Sequence, residues 1–95
     1  MNKAERKKVE KLIDAFEWHE YCFSGLRKIN GGYATAKLGE VNDEEIEIHL
    51  ELGTQDMGDG HSECDRGTYY IDREVALSDI DVAEKLKKIR DWSET

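Results

Sequence analysis

Two short segments of this 95-residue chain carry metal-binding side chains at matched spacing: His19-Glu20-Tyr21-Cys22 and His61-Ser62-Glu63-Cys64. Each cysteine follows a histidine by three positions. On a helix, residues three apart share a face, so His19 and Cys22 can grip one ion. His61 and Cys64 fall in a Gly-rich stretch able to fold over it, and two His with two Cys complete a tetrahedral zinc site. Zinc is the one cofactor this pattern admits. The competing reading needs no cofactor: Cys22 packs as a small residue on a helix flank, and His19 continues an apolar stripe. Asp56 to Asp65 also offers oxygen ligands, but not in the twelve-residue order of a calcium-binding EF-hand loop, and strands are expected on either side.

A second pattern is electrostatic. Between Leu38 and Asp65 stand Glu40, Asp43, Glu44, Glu45, Glu47, Glu51, Asp56, Asp59, Glu63 and Asp65, with no Lys or Arg among them. The chain has 14 basic and 22 acidic residues, a net charge of −8. Without those ten acids the remainder has 14 basic and 12 acidic residues and carries +2. The negative charge is therefore a local field, one that repels nucleic acid and attracts basic partners. A basic cluster, Lys3, Arg6, Lys7, Lys8 and Lys11, is offset by Glu5 and Glu10 and reads as the solvated start of a helix.

The signatures of catalysis are missing from the sequence. Asn30-Gly31-Gly32 follows a helix instead of opening one, so it does not cradle a phosphate. There is no nucleophile elbow and no zinc-protease helix. His61 and Cys64 can pair as thiolate and imidazolium, but nothing in the sequence orients them. The expectation is a protein that is not an enzyme.

Several elements must position these residues. Lys3 to Ile29 reads as a long helix whose stripe is Val9, Leu12, Ile13, Phe16, Phe23 and Leu26, flanked by Ala15, Trp18 and Cys22. Gly25 weakens it, and Asn30-Gly31-Gly32 ends it. Tyr33 to Leu38 is a short strand and Gly39 to Asp43 a turn. Glu45 to Leu52 is the clearest strand: Ile46, Ile48, Leu50 and Leu52 face one way, and Glu45, Glu47, His49 and Glu51 the other. Gly53 to Gly67 reads as a long loop and Thr68 to Val75 as a third strand. Ser78 with Asp81 resembles the start of a capped final helix, with Leu77 and Val82 at staple positions and Val82, Leu86, Ile89 and Trp92 along its inner side.

The expected fold class is α+β: a three-stranded antiparallel β-meander flanked by an N-terminal and a C-terminal helix (α-β-β-β-α), with both helices on one face of the sheet. Residues 1–95 are expected to form a single domain. No apolar run reaches membrane-spanning or signal-peptide length, and no lipidation signal is present, so a cytoplasmic protein with reduced cysteines is expected.

The leading functional expectation is a small acidic interaction domain that binds a basic surface of a partner. Its binding residues are Glu40, Asp43, Glu44, Glu45, Glu47, His49, Glu51, Asp56, Asp59, Glu63 and Asp65. In size, charge and architecture it resembles the small acidic phage proteins that inhibit CRISPR or restriction effectors by mimicking nucleic acid, although no motif assigns it to a named family. The partner implied is a nucleic-acid-binding effector, with no direct nucleic-acid or membrane binding. The alternative is a structural-zinc domain held by His19, Cys22, His61 and Cys64. A third reading is self-association, as a homodimer instead of a monomer, through a strand edge or Trp18 and Trp92.

Overall fold

The computed structural model describes residues 1–55 and 63–91. The expectations for Asp56, Asp59, His61 and Trp92 lie outside the described residues.

Helix α1 (Lys3–Phe23) starts at a capping box. Asn2 Oδ1 accepts from the Glu5 amide at 2.8 Å, and the Asn2 amide donates to Glu5 Oε1 at 3.1 Å. This satisfies two backbone N–H groups of the first turn. Val9, Leu12, Ile13 and Phe16 are buried along one side. The stripe stops there: Phe23, expected to continue it, is 82 % exposed. Gly25 adopts the left-handed conformation (φ 80°) and ends α1, so a single 3₁₀ turn (Leu26–Lys28) replaces its expected last turns. Gly32 then passes so close to the Leu26 carbonyl that a β-carbon would sit 2.1 Å from its oxygen. Only glycine permits that approach.

Strands β1 (Gly32–Val41), β2 (Glu45–Thr54), β3 (Glu63–Asp72) and β4 (Arg90–Asp91) form one antiparallel sheet in the order β1-β2-β3-β4. Asn42 Oδ1 accepts from the amides of Glu44 and Glu45, both at 2.8 Å, and closes the β1–β2 turn. The register between Leu38 and Val41 is irregular, a local bulge at Gly39 and Glu40.

Three expectations need correction. Both described ends of the long loop expected at Gly53 to Gly67 are strand, Gly53 and Thr54 in β2 and Glu63 to Gly67 in β3, because β2 and β3 pair continuously from Glu45↔Asp72 to Thr54↔Glu63. Asp65 and Gly67 have weak strand propensity, and the pairing with β2 overrides it. The third strand accordingly ends at Asp72, and the next residues form a short helix α2 (Arg73–Leu77) that buries Ala76. The single C-terminal helix is likewise broken. Ser78 caps the end of α2 and does not start a helix; α3 (Val82–Leu86) begins after Asp81, and the chain then returns to the sheet as β4. The sheet thus has four strands, not three.

A lysine joins the two short helices. Lys85 is 3 % exposed, and its Nζ donates to the Ala76 and Ser78 carbonyls, both at 2.8 Å. Lys8 of α1 donates to the Leu77 carbonyl at 3.1 Å and to Asp79 at 2.8 Å. The carbonyls that α2 leaves open at its C-terminus are therefore taken by cations, which also suit the negative end of the helix. Burial lowers the Lys85 pKa, and Lys8 and Lys11 lower it further.

The core is one layer between α1 and the sheet. Ile46, Ile48, Leu50 and Ile71 meet Val9, Leu12, Ile13, Phe16 and Ala76, with Val75, Leu77, Val82, Leu86 and Ile89 packed around them. The Phe16 and Tyr69 rings meet edge-on at 5.0 Å. All three helices contribute to this inner side. At the β1 edge, Glu17 of α1 accepts from the Ala36 amide at 2.8 Å and occupies a donor that another strand would otherwise use.

Candidate functional site

The helices leave the other face of the sheet uncovered, and strand alternation decides what it displays. β2 turns Glu45, Glu47, His49 and Glu51 outward, as expected. Pairing sets beside them Tyr33, Thr35 and Lys37 of β1 and Cys64, Arg66, Thr68, Tyr70 and Asp72 of β3. Arg90 of β4 lies opposite Tyr70.

The carboxylates of β2 are not a bare row. Both oxygens of Glu51 are engaged: Oε1 accepts from Arg66 Nε at 2.9 Å and Oε2 from the Tyr33 hydroxyl at 3.0 Å. The bond from Arg66, then those involving Tyr33 and Cys64, hold the Glu51 carboxyl below its ordinary range. In return, the hydrogen bond to Glu51, together with Cys64, pushes the Tyr33 phenol up to about 12. Glu45 meets Arg90 at 3.3 Å, and the same guanidinium reaches Asp72 at 3.1 Å. Glu47 Oε1 lies 2.5 Å from His49 Nε2. That pair rests on Gly39, where an added β-carbon would lie 2.6 Å from the imidazole and 2.7 Å from the carboxylate.

Charge is instead divided along the strands. At the end near the β1–β2 turn, Glu40, Asp43 and Glu44 are exposed and make no ion pair among the described residues. Glu45 and Glu47 adjoin them. Burial raises the Tyr70 pKa, and the fields of Glu47, Glu45 and Glu40 raise it further, which places three carboxylates around one phenol. Towards the middle, the face carries Lys37, His49 and Arg66, with Thr35 and Thr68 between them. These residues and Glu51 line a depression of about 420 Å³.

The expected acidic residues thus separate. Glu45, Glu47, His49 and Glu51 share the face, and Glu40, Asp43 and Glu44 extend one end of it. Asp65 pairs with Leu52 and belongs to the opposite face. Glu63 is in β3, with its side chain outside the described set.

The zinc set does not come together among the described residues. His19 lies 3.4 Å from Glu20 and stacks on Phe23, and Cys22 faces the Arg27 guanidinium at 3.7 Å. Both belong to the helical layer, whereas Cys64 is on the outward face of β3. No group of three or more His, Cys, Asp or Glu able to hold a metal ion occurs among the described residues. The two cysteines are free thiols.

Sequence reasoning missed Tyr33, Thr35, Lys37, Arg66, Thr68, Tyr70 and Arg90 as members of this face. The alternation of Tyr33, Thr35 and Lys37 was available as a signal. Arg66 opposite Glu51 was not, because it depends on strand register.

No helix among the described residues is long and apolar enough to cross a membrane. No protein-family model, curated protein or solved structure matches this chain.

Proposed function

We propose that this chain is a small, non-catalytic, acidic interaction domain that seats the turn end of its uncovered sheet face on a basic surface of a partner protein. One observation carries the reading. Glu40, Asp43 and Glu44, exposed and without ion pairs among the described residues, extend the pole where Glu45 and Glu47 stand beside Tyr70. Carboxylates of one sign, not yet neutralised within the chain, steer and orient a cationic partner.

A nucleic-acid-binding effector is the partner class whose working surface has the required sign. Occupying that surface excludes its nucleic acid. The geometry favours a compact acidic pole over a strand-long copy of a phosphate backbone, because Glu51 and Glu45 carry their own cations on the same face.

The test is binding to a panel of purified basic nucleic-acid-binding proteins at low and high salt, with wild type and a Glu40→Lys, Asp43→Lys, Glu44→Lys variant. These three side chains lie outside the core, so the variant is expected to fold as wild type does. Salt-sensitive binding lost in the variant supports the reading. Binding that is equal in both proteins, or no binding to any member of the panel at low salt, contradicts it.

A further inference from the structure

The middle of the outer face differs in sign from its turn end. The depression of about 420 Å³ spans three strands: Thr35 and Lys37 from β1, His49 and Glu51 from β2, and Arg66 and Thr68 from β3. With His49 neutral, its lining carries Lys37 and Arg66 against Glu51, a net +1 in a chain of net −8. Glu51 is also the most thoroughly occupied carboxylate on the face, since Arg66 and Tyr33 each take one of its oxygens.

The remaining groups are donors that want an acceptor. Lys37 is exposed and makes no ion pair or hydrogen bond among the described residues. Nor do the hydroxyls of Thr35 and Thr68, both only half-exposed. His49 gives Nε2–H to Glu47, and its Nδ1 donates to an anion only when the ring is protonated. An ammonium, a guanidinium, two hydroxyls and, with the ring protonated, the Nδ1–H of His49 around one hollow match the several oxygens of a tetrahedral oxyanion. The volume exceeds that of an inorganic phosphate and falls within the range of small-molecule sites. No Phe, Tyr or Trp lines the hollow.

We propose that this depression is a binding site for the phosphate group of a small phosphorylated molecule, held by Lys37, His49 and Arg66 with Thr35 and Thr68. Leu50 and Gly67 complete its lining. The site requires none of Glu40, Asp43 and Glu44, so it stands apart from the acidic pole and its partner.

The molecule supplies its own control. The N-terminal turns of α1 hold a second depression lined by Lys3, Arg6 and Lys7 with Glu10. It has more positive charge than the sheet face but no hydroxyl from a threonine and no histidine. An anion attracted by charge alone goes there; one that needs a shaped donor set goes to the sheet.

The experiment is a nuclear magnetic resonance titration of the full ¹⁵N-labelled chain with inorganic phosphate and, separately, with glycerol phosphate. Saturable shifts centred on Thr35, Lys37, His49, Arg66 and Thr68 are expected. Lys37→Gln and Thr68→Val should each weaken binding by about tenfold while leaving the rest of the spectrum in place, since each removes a donor to a charged group. Two variants are used so that a folding defect in one leaves the other to decide. Tighter binding of glycerol phosphate identifies an ester as the ligand class, and equal binding identifies free phosphate. Shifts that never saturate, that gather on Lys3, Arg6 and Lys7, or that are unchanged in both variants overturn the proposal.

Discussion

The two faces of strand β2 hold different kinds of side chain in different kinds of contact. Ile46, Ile48 and Leu50 of β2 point into the helical layer and are buried, while Glu45, Glu47, His49 and Glu51 alternate with them and point into the open. The inner set has generic partners: any apolar surface of the right volume would serve. The outer set has particular ones: Glu51 and Glu45 pair with Arg66 and Arg90 of other strands, and Glu47 pairs with His49 on β2 itself. Apolar packing therefore belongs to one face and paired charge to the other. The comparison also explains why the carboxylates of β2 are uneven in use. Glu51 is tied down by Arg66 and Tyr33, whereas the acids at the β1–β2 turn are not.

Substitutions on the two faces put this contrast to the test. The largest effect is expected on the inner face. Ile48→Ala should cost about 2–5 kcal/mol in chemical denaturation, through lost burial and the cavity left behind. A smaller loss would show that the inner face is less closely packed than its burial implies. Next is the polar exception inside. Lys85→Met keeps the bulk of the side chain but strips the donors from the Ala76 and Ser78 carbonyls, and should cost about 1–3 kcal/mol in the same measurement.

On the outer face the effects are expected to be smaller and pH-dependent. Tyr33 titrates at about 12 instead of 10.0, so the folded state holds its proton more tightly than the unfolded state does. Its stabilising contribution is full below pH 10.0 and disappears as pH rises through about 12. Ultraviolet titration of the tyrosines should resolve this late phenol, and Glu51→Gln should move it back towards its ordinary value. Glu51 has the opposite sign: its carboxyl is held low, so its contribution is present above its ordinary 4.5 and is lost as pH falls through the lower folded value. The smallest effect on stability is expected from Glu40→Lys, Asp43→Lys and Glu44→Lys together. Each should stay within about 0.5 kcal/mol, because exposed substitutions touch little.

The inner face was legible because burial writes itself into periodicity. Val9, Leu12, Ile13 and Phe16 repeat at helical spacing, and Ile46, Ile48 and Leu50 at strand spacing. Phe23 fits the same helical pattern yet is exposed, since Gly25 ends α1 before the sheet can cover it. Asn2, which caps α1, carried a readable signal in its spacing from Glu5. The outer face was half legible. Which β2 residues point outward follows from alternation alone, but Arg66, Tyr70 and Arg90 reach them through register and through a two-residue fourth strand. Neither leaves a local mark. Ser78 is the instructive error: its spacing to Asp81 matches a helix start, but Lys85 and Lys8 recruit the carbonyls around it and make it a helix end.

The most direct test of the outer face as a recognition surface is a ¹⁵N nuclear magnetic resonance titration with a lysine-rich peptide. Saturable, salt-sensitive shifts are expected at Glu40, Asp43, Glu44, Glu45, Glu47 and Tyr70, and they should vanish in the Glu40→Lys, Asp43→Lys, Glu44→Lys variant. Shifts spread evenly over every acidic residue of the chain, or unchanged in that variant, would contradict an acidic pole on the uncovered sheet.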